Sequence, residues 1–236
     1  MFTRYVIKRG GKDEGERPFW ISYSDLMTAL MALFLVVMSV TLLAVTKKVD
    51  QEAQRKIQRE QDISSLMKQI QQDSSTWKEV KVDESTYRID LGEVVRFNSG
   101  KAYITPEGQQ FLRGYVPTLL KAYNTELGKR WIRRIIVEGF TDQDGTYLYN
   151  LWLSLERSRQ VVCSLYSTPI PKETPLTEEQ KIAIRELFLV GGYSFNSMKA
   201  SKDESRRVEL KLEFWQLDEG KPIIPNLSGK EFGLCP

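Results

Sequence analysis

Residues 19–46 read FWISYSDLMTALMALFLVVMSVTLLAVT, an apolar run interrupted by one acid, Asp25. From Leu26 to Thr46 there are 21 consecutive residues without a charge, which matches the roughly 20 residues a helix needs to cross a hydrocarbon core of about 30 Å. A cleaved secretory signal has a shorter apolar stretch followed by a small-residue cleavage site. This run is long and is closed by Lys47 and Lys48, so it reads as a retained anchor. Arg4, Lys8, Arg9, Lys12 and Arg17 precede it, and Lys and Arg beside a span stay on the cytoplasmic side. The expectation is a cytoplasmic segment over 1–18, a transmembrane helix over 19–46 in a bacterial inner membrane, and everything after residue 47 in the periplasm.

The whole chain of 236 residues carries 34 Lys and Arg against 31 Asp and Glu. A net charge of +3 spread along the sequence gives no basic stripe, so no direct nucleic-acid partner is inferred. There is no histidine. That removes the usual metal ligand and the commonest general base, which weighs against a hydrolase; no enzyme activity and no cofactor are expected. Cys163 and Cys235 would lie in an oxidising compartment, where they could pair with each other, pair between subunits or stay free.

Residues 47–80 are polar and helix-favouring, with apolar positions at Val49, Ala53, Ile57, Ile63, Leu66, Met67 and Ile70. The step from Ile57 to Ile63 breaks a clean heptad, so this segment reads as a helical linker, solvated or paired with its own copy. An α/β domain is expected over 81–216. Strand composition marks 86–91, 94–97 and 131–138, and Thr105-Pro106-Glu107 opens a helix to about 127. Further helices are expected over 147–166 and, capped by Thr177, over 178–188. Val208, Leu210, Leu212 and Phe214 alternate with Glu209, Lys211 and Glu213, the period-two pattern of a strand with one core face and one wet face. The tail, 217–236, shows no periodicity. Alternating strands and helices point to a mixed sheet with helices on one side.

A charge at the centre of a spanning helix costs about 2.5–3.5 kcal/mol on insertion scales, so Asp25 calls for a use. Ser22, Thr28 and Ala29 lie three to four residues from it and give its face small and hydroxyl-bearing groups, suited to a close helix partner. A carboxyl group removed from water favours its neutral form, so it can load a proton from one side and release it to the other. The alternative is an acid that merely snorkels to the interface. The run from Phe19 to Met38 resembles the transmembrane segment of MotB-type stator subunits, W-x-x-x-x-x-D-[FL]-M-T-A-[ML]-M-x-x-F-x-x-x-M, apart from one residue fewer between Trp20 and the acid. The resemblance implies that Asp25 is the ion-translocating residue, and an isolated acid in apolar surroundings favours protons over sodium.

Val137-Glu138-Gly139-Phe140-Thr141-Asp142-Gln143-Asp144-Gly145, followed by Asn150, Leu153-Ser154 and Arg157, is similar to the OmpA-like peptidoglycan-binding signature V-x-G-H-T-D-x-x-G then N-x-x-L-S-x-x-R. Ser205-Arg206-Arg207-Val208 resembles its N-R-R-V ending, with serine for asparagine. A carboxylate beside a guanidinium can grip a zwitterion, and the diaminopimelate of the stem peptide is one. The resemblance implies a peptidoglycan site of Thr141, Asp142, Asn150, Arg157, Arg206 and Arg207, with Asp142 on the ammonium, Arg157 on the carboxylate and Asn150 supporting the turn. Phe140 stands where the motif has histidine. An Asp–Arg pair that only holds a turn is the alternative.

The fold expected is thus a single-pass transmembrane α-helix followed by an α/β OmpA-like domain. The short linker and the run PFWISYSDLMTALMALFLVVMSV resemble the B subunits of Zorya anti-phage defence systems more than flagellar MotB within the MotB-like stator family. That resemblance implies five multi-pass ZorA-like (MotA-like) partner subunits around a homodimer of this chain, anchored to peptidoglycan. A flagellar stator and a passive wall tether are the competing readings.

Overall fold

A computed structural model describes residues 17–169, 173–220, 231–233 and 235. The expected cytoplasmic segment lies outside the described residues up to position 16, as does most of the expected tail. The chain divides into two compact units, 1–56 and 57–236.

Helix α1 runs Arg17–Ser74. No glycine or proline interrupts it between Phe19 and Ser74, so nothing breaks the hydrogen-bond ladder. In the first unit the helix is long and apolar enough to cross a membrane, and none of its apolar window is buried within the protein. Its hydroxyls are turned back onto its own carbonyls: Ser39 Oγ donates to Leu35 O at 2.7 Å and Thr46 Oγ1 to Leu42 O at 2.7 Å. Self-satisfied hydroxyls suit an apolar surrounding.

The second unit begins inside α1. Ile63, Leu66, Met67 and Ile70 are at most 2% exposed and belong to the hydrophobic core. Spaced at three and four, they form one apolar stripe. Arg59 Nε donates to Trp215 O at 2.8 Å, and Trp131 Nε1 to Asp62 Oδ2 at 2.9 Å. The domain therefore starts near Ile57, and the last turns of the expected linker are one of its core elements.

Strands β1 (Lys81–Asp83) and β2 (Arg88–Asp90) form a hairpin. The strand expected over 94–97 is instead a 3-10 turn, Glu93–Val95, entered through Gly92 at φ 74°. Helix α2 (Pro106–Tyr123) has Thr105 as N-cap and stops short of 127, because Thr125 caps a new helix, α3 (Glu126–Trp131). Strand β3 (Ile132–Gly139) leads to α4 (Tyr147–Tyr166); α5 (Glu178–Leu187) starts in a capping box of Thr177 and Gln180. Strand β4 (Phe188–Gly192), the short helix α6 (Lys202–Ser205) and β5 (Val208–Phe214) complete the domain.

The sheet order is β1-β2-β5-β3-β4, antiparallel except for the β3–β4 pair. Val208, Leu210, Leu212 and Phe214 enter the core with Ile135, Val137, Leu112, Leu119 and Val161. The opposite face is less wet than its composition suggests. Glu138 and Glu209, paired across β3 and β5, are both buried. Arg88 Nη1 lies 2.8 Å from Glu138 and 3.0 Å from Glu209. Cys163 on α4 is disulfide-bonded to Cys235, with Cα atoms 5.7 Å apart, which ties the tail to the helical layer.

Candidate functional site

Strand β3 delivers the site at its end. A Cβ on Gly139 would lie 2.0 Å from the Ser154 carbonyl oxygen, so α4 can cross this closely only over glycine. The chain then turns through Phe140, Thr141 and Asp142, passes Gly145 at φ 101°, and enters α4 where Thr146 accepts from the Tyr149 N–H. One turn and three turns into α4, Asn150 and Arg157 lie beneath this loop.

Arg157 is fully buried. Its Nη1 donates to Phe140 O at 2.7 Å, Nε to Lys101 O at 3.0 Å and Nη2 to Asn98 O at 3.2 Å. The guanidinium therefore joins two separate loops, the one after β3 and the 98–101 turn before α2. Burial lowers it to about 10, with the Asp142 carboxylate opposing and Arg206 adding to the shift; it remains a cation at neutral pH. Asp142 Oδ1 accepts from the Asp144 N–H at 3.2 Å, and Oδ2 accepts from Arg206 Nη1 at 2.9 Å. Arg206 also donates Nε to Phe97 O at 3.0 Å and pairs with Asp203. Outside this pair, Lys202 Nζ meets Asp144 Oδ1 at 2.7 Å, both side chains about half exposed.

Asn150 Nδ2 donates to Asp144 O at 2.9 Å and holds the turn. Two buried polar atoms of the cluster, Thr141 Oγ1 and Asn150 Oδ1, have no hydrogen-bond partner among the described residues. Buried polar atoms are almost always satisfied by protein or ordered water, so these two call for a water or a ligand group.

Arg207 points elsewhere. Its Nε donates to Glu209 Oε1 at 2.6 Å and Nη1 to Ser197 O at 3.1 Å, and its guanidinium lies 4.2 Å from the Phe140 ring centroid. The other ring against Phe140 is Tyr193, stacked at 5.4 Å and 28°. The residue at the motif's histidine position is thus buried and packed against both a guanidinium and a phenol. Thr141, Asp142, Asn150, Arg157 and Arg206 come together at the loop, while Arg207 supports it from behind. Asp144 and Lys202 were not singled out in the sequence; the signal for them was local, two residues after Asp142 and one helical turn before Arg206. Among the described residues, no group of three or more His, Cys, Asp or Glu side chains is placed to hold a metal ion.

Asp25 lies in the other unit, exposed on α1. Thr28 Oγ1 donates to Ser24 O, which keeps that hydroxyl on the helix beside the acid.

Residues 7–58 match the family described as membrane MotB of the proton-channel complex MotA/MotB. The chain is 47% identical over 216 residues to the Zorya protein ZorB of Escherichia coli O139:H28 (strain E24377A / ETEC), covering 91% of this chain and 88% of that protein. It is 38% identical over 88 residues to outer membrane protein A of Atlantibacter hermannii, covering 37% and 34%. Among solved structures, the cell wall anchor of the T6SS from Pseudomonas aeruginosa is 19% identical, with a TM-score of 0.40 over 62% of this chain and 95% of that one.

Proposed function

This chain belongs to the family of the Zorya protein ZorB, and from that premise we propose that it is the ion-carrying, wall-anchored B subunit of an ion-driven inner-membrane motor acting in anti-phage defence. The observation that carries the reading is Asp25: one acid on a helix otherwise apolar enough to span a membrane, inside the stretch that matches the MotB family. In this reading Asp25 takes up a proton, or less favourably a sodium ion, beside the small and hydroxyl-bearing face of Ser22, Thr28 and Ala29. Multi-pass ZorA-like subunits surround a dimer of this chain and convert that exchange into rotation.

Work requires that something hold the chain still. The pair of Asp142 and Arg206, over buried Arg157 and the unpartnered Thr141 and Asn150 atoms, supports a site for a zwitterion. Asp142 would receive an ammonium and the Arg206 guanidinium a carboxylate, the two charges of diaminopimelate in a stem peptide. The disulfide supports a periplasmic location for this domain, since such bonds persist in oxidising compartments, and the basic residues before α1 support a cytoplasmic amino terminus.

The reading is tested in cells carrying the chain with its neighbouring genes. Asp25→Asn is expected to abolish defence while expression and retention on isolated sacculi stay at the wild-type level. Full defence with Asp25→Asn would leave the passive tether as the better account.

A further inference from the structure

Two aromatic rings stand exposed immediately beyond the site. Tyr149 and Trp152 are 44% and 57% exposed, with ring centroids 6.0 Å apart and planes inclined by 38°. Tyr149 is continuous with the pocket. A Cβ on Gly145 would lie 3.3 Å from its ring, and one on Gly100 would lie 3.5 Å from its hydroxyl, so it stands between the two turns that flank Arg157. Trp152 lies three residues further along α4, about 4.5 Å of helix rise. Neither ring has an apolar cover, and contiguous exposed aromatic surface marks a contact site.

We propose that Tyr149 and Trp152 form a platform for the sugar rings of a peptidoglycan glycan strand. This rests on the reading of the Asp142–Arg206 pocket as the stem-peptide site. A stem peptide is covalently joined to its glycan, and its third residue lies about 10 Å along an extended chain from the sugar that bears it. A ligand seated at Asp142 therefore carries its sugars past the first turns of α4. The chemistry matches. A pyranose has an apolar C–H face and a polar edge, and Tyr and Trp offer a flat apolar ring with one hydrogen-bonding handle. The rim nearest the pocket is polar, with the half-exposed Asp144 and Lys202, which suits hydroxyls and acetamido groups better than an apolar protein face. Leu148 and Leu155, also exposed on α4, make a second copy of this chain the competing occupant.

The test uses the full chain in detergent with two probes: glycan strands freed of peptide by amidase digestion, and a diaminopimelate-containing stem tripeptide. Trp152→Ala is expected to weaken binding of the bare glycan about tenfold, and Trp152→Phe to keep most of it. Both variants should bind the tripeptide as wild type does. Asp142→Asn should show the reverse. Bare glycan bound equally by wild type and Trp152→Ala overturns the platform and leaves the pocket standing. So does a Trp152→Ala chain that loses self-association while keeping the glycan, which would assign the rings to a contact between copies. If wild type binds neither probe, the stem-peptide reading fails and the platform with it.

Discussion

Arg206 is the guanidinium that meets Asp142, with Nη1 2.9 Å from Oδ2, whereas Arg157 is turned inward onto the carbonyls of Phe140, Asn98 and Lys101. The two arginines do different work. Arg206 completes the charged mouth of the pocket, and Arg157 holds the loops that form it. Removing Arg157 takes away three charge-assisted hydrogen bonds, one of them to the buried Phe140 carbonyl and two to the exposed Asn98 and Lys101, each worth about 1.5–3 kcal/mol. Arg157→Ala is therefore expected to lower the domain's stability by at least about 3 kcal/mol, read from urea denaturation followed by circular dichroism. Arg206→Ala, with a side chain still 14% exposed, is expected to lower retention on sacculi with a much smaller loss of stability. Equal stability losses would mean that the roles are not separated in this way.

Phe140 fills the histidine position of the motif and is packed against Arg207 and Tyr193. Phe140→Ala opens a cavity in a closed stack and should cost about 3–5 kcal/mol. Phe140→His should fold but acquire a pH dependence that the wild type lacks. Burial and the Arg207 charge both disfavour an imidazolium there, so its folded pKa falls below the unfolded value of about 6.5. Stability would be full above that value and decline as the solution is acidified through it. Thermal melts at mildly alkaline and mildly acidic pH read this directly; a flat Phe140→His profile would count against the stack.

Placing the domain boundary inside α1 makes a truncation test. A fragment starting at residue 57 retains Ile63, Leu66, Met67 and Ile70, which are in the core, and is expected to melt cooperatively. A fragment starting at 81 lacks all four and is expected to be unfolded or insoluble. Leu66→Ala in the full chain should cost about 2–5 kcal/mol. A folded fragment from residue 81 would contradict the placement.

Where local signals were strong, the fold was legible in the sequence. Helix α4 occupies the expected 147–166 because Thr146 caps it, and β5 follows its alternation. The linker was not legible, because Ile63, Leu66, Met67 and Ile70 have the spacing of any amphipathic helix, which does not say what covers the stripe. Strand β4 was not read from the sequence: the expected α5 ended on Phe188, which serves both as C-cap and as first strand residue, and no element was expected over 189–192. The buried state of Glu209 also escaped a period-two reading, because Arg88, distant in sequence, and Arg207, two residues before it, cover it with paired charges. At the site, the residue set was visible in the motif but the pairing was not: spacing puts Arg157 under the loop without saying that backbone carbonyls would claim it.

Alkaline pH should weaken the domain in a defined window. Burial pushes the phenols of Tyr115, Tyr166 and Tyr193 up to about 12, with the Ser74 hydroxyl opposing at Tyr115 and the Glu138 carboxylate reinforcing at Tyr193. A phenol raised above its unfolded value of about 10 contributes stability that is complete below that pH and is lost as pH climbs towards the folded value. Phenolate absorbance should show these three tyrosines ionising late, with thermal stability falling between about pH 10 and 12. Titration near 10 with no change in stability would contradict their burial.

The central claim is that Asp25 carries the ion, and ion flux measures it most directly. The full chain is purified with its multi-pass partner, reconstituted in vesicles and given a proton gradient, then a sodium gradient, with Asp25→Asn and Asp25→Glu alongside. The expected result is flux with wild type, greater for protons, none with Asp25→Asn, and partial recovery with Asp25→Glu. Undiminished flux through Asp25→Asn, with the complex intact, would contradict the account.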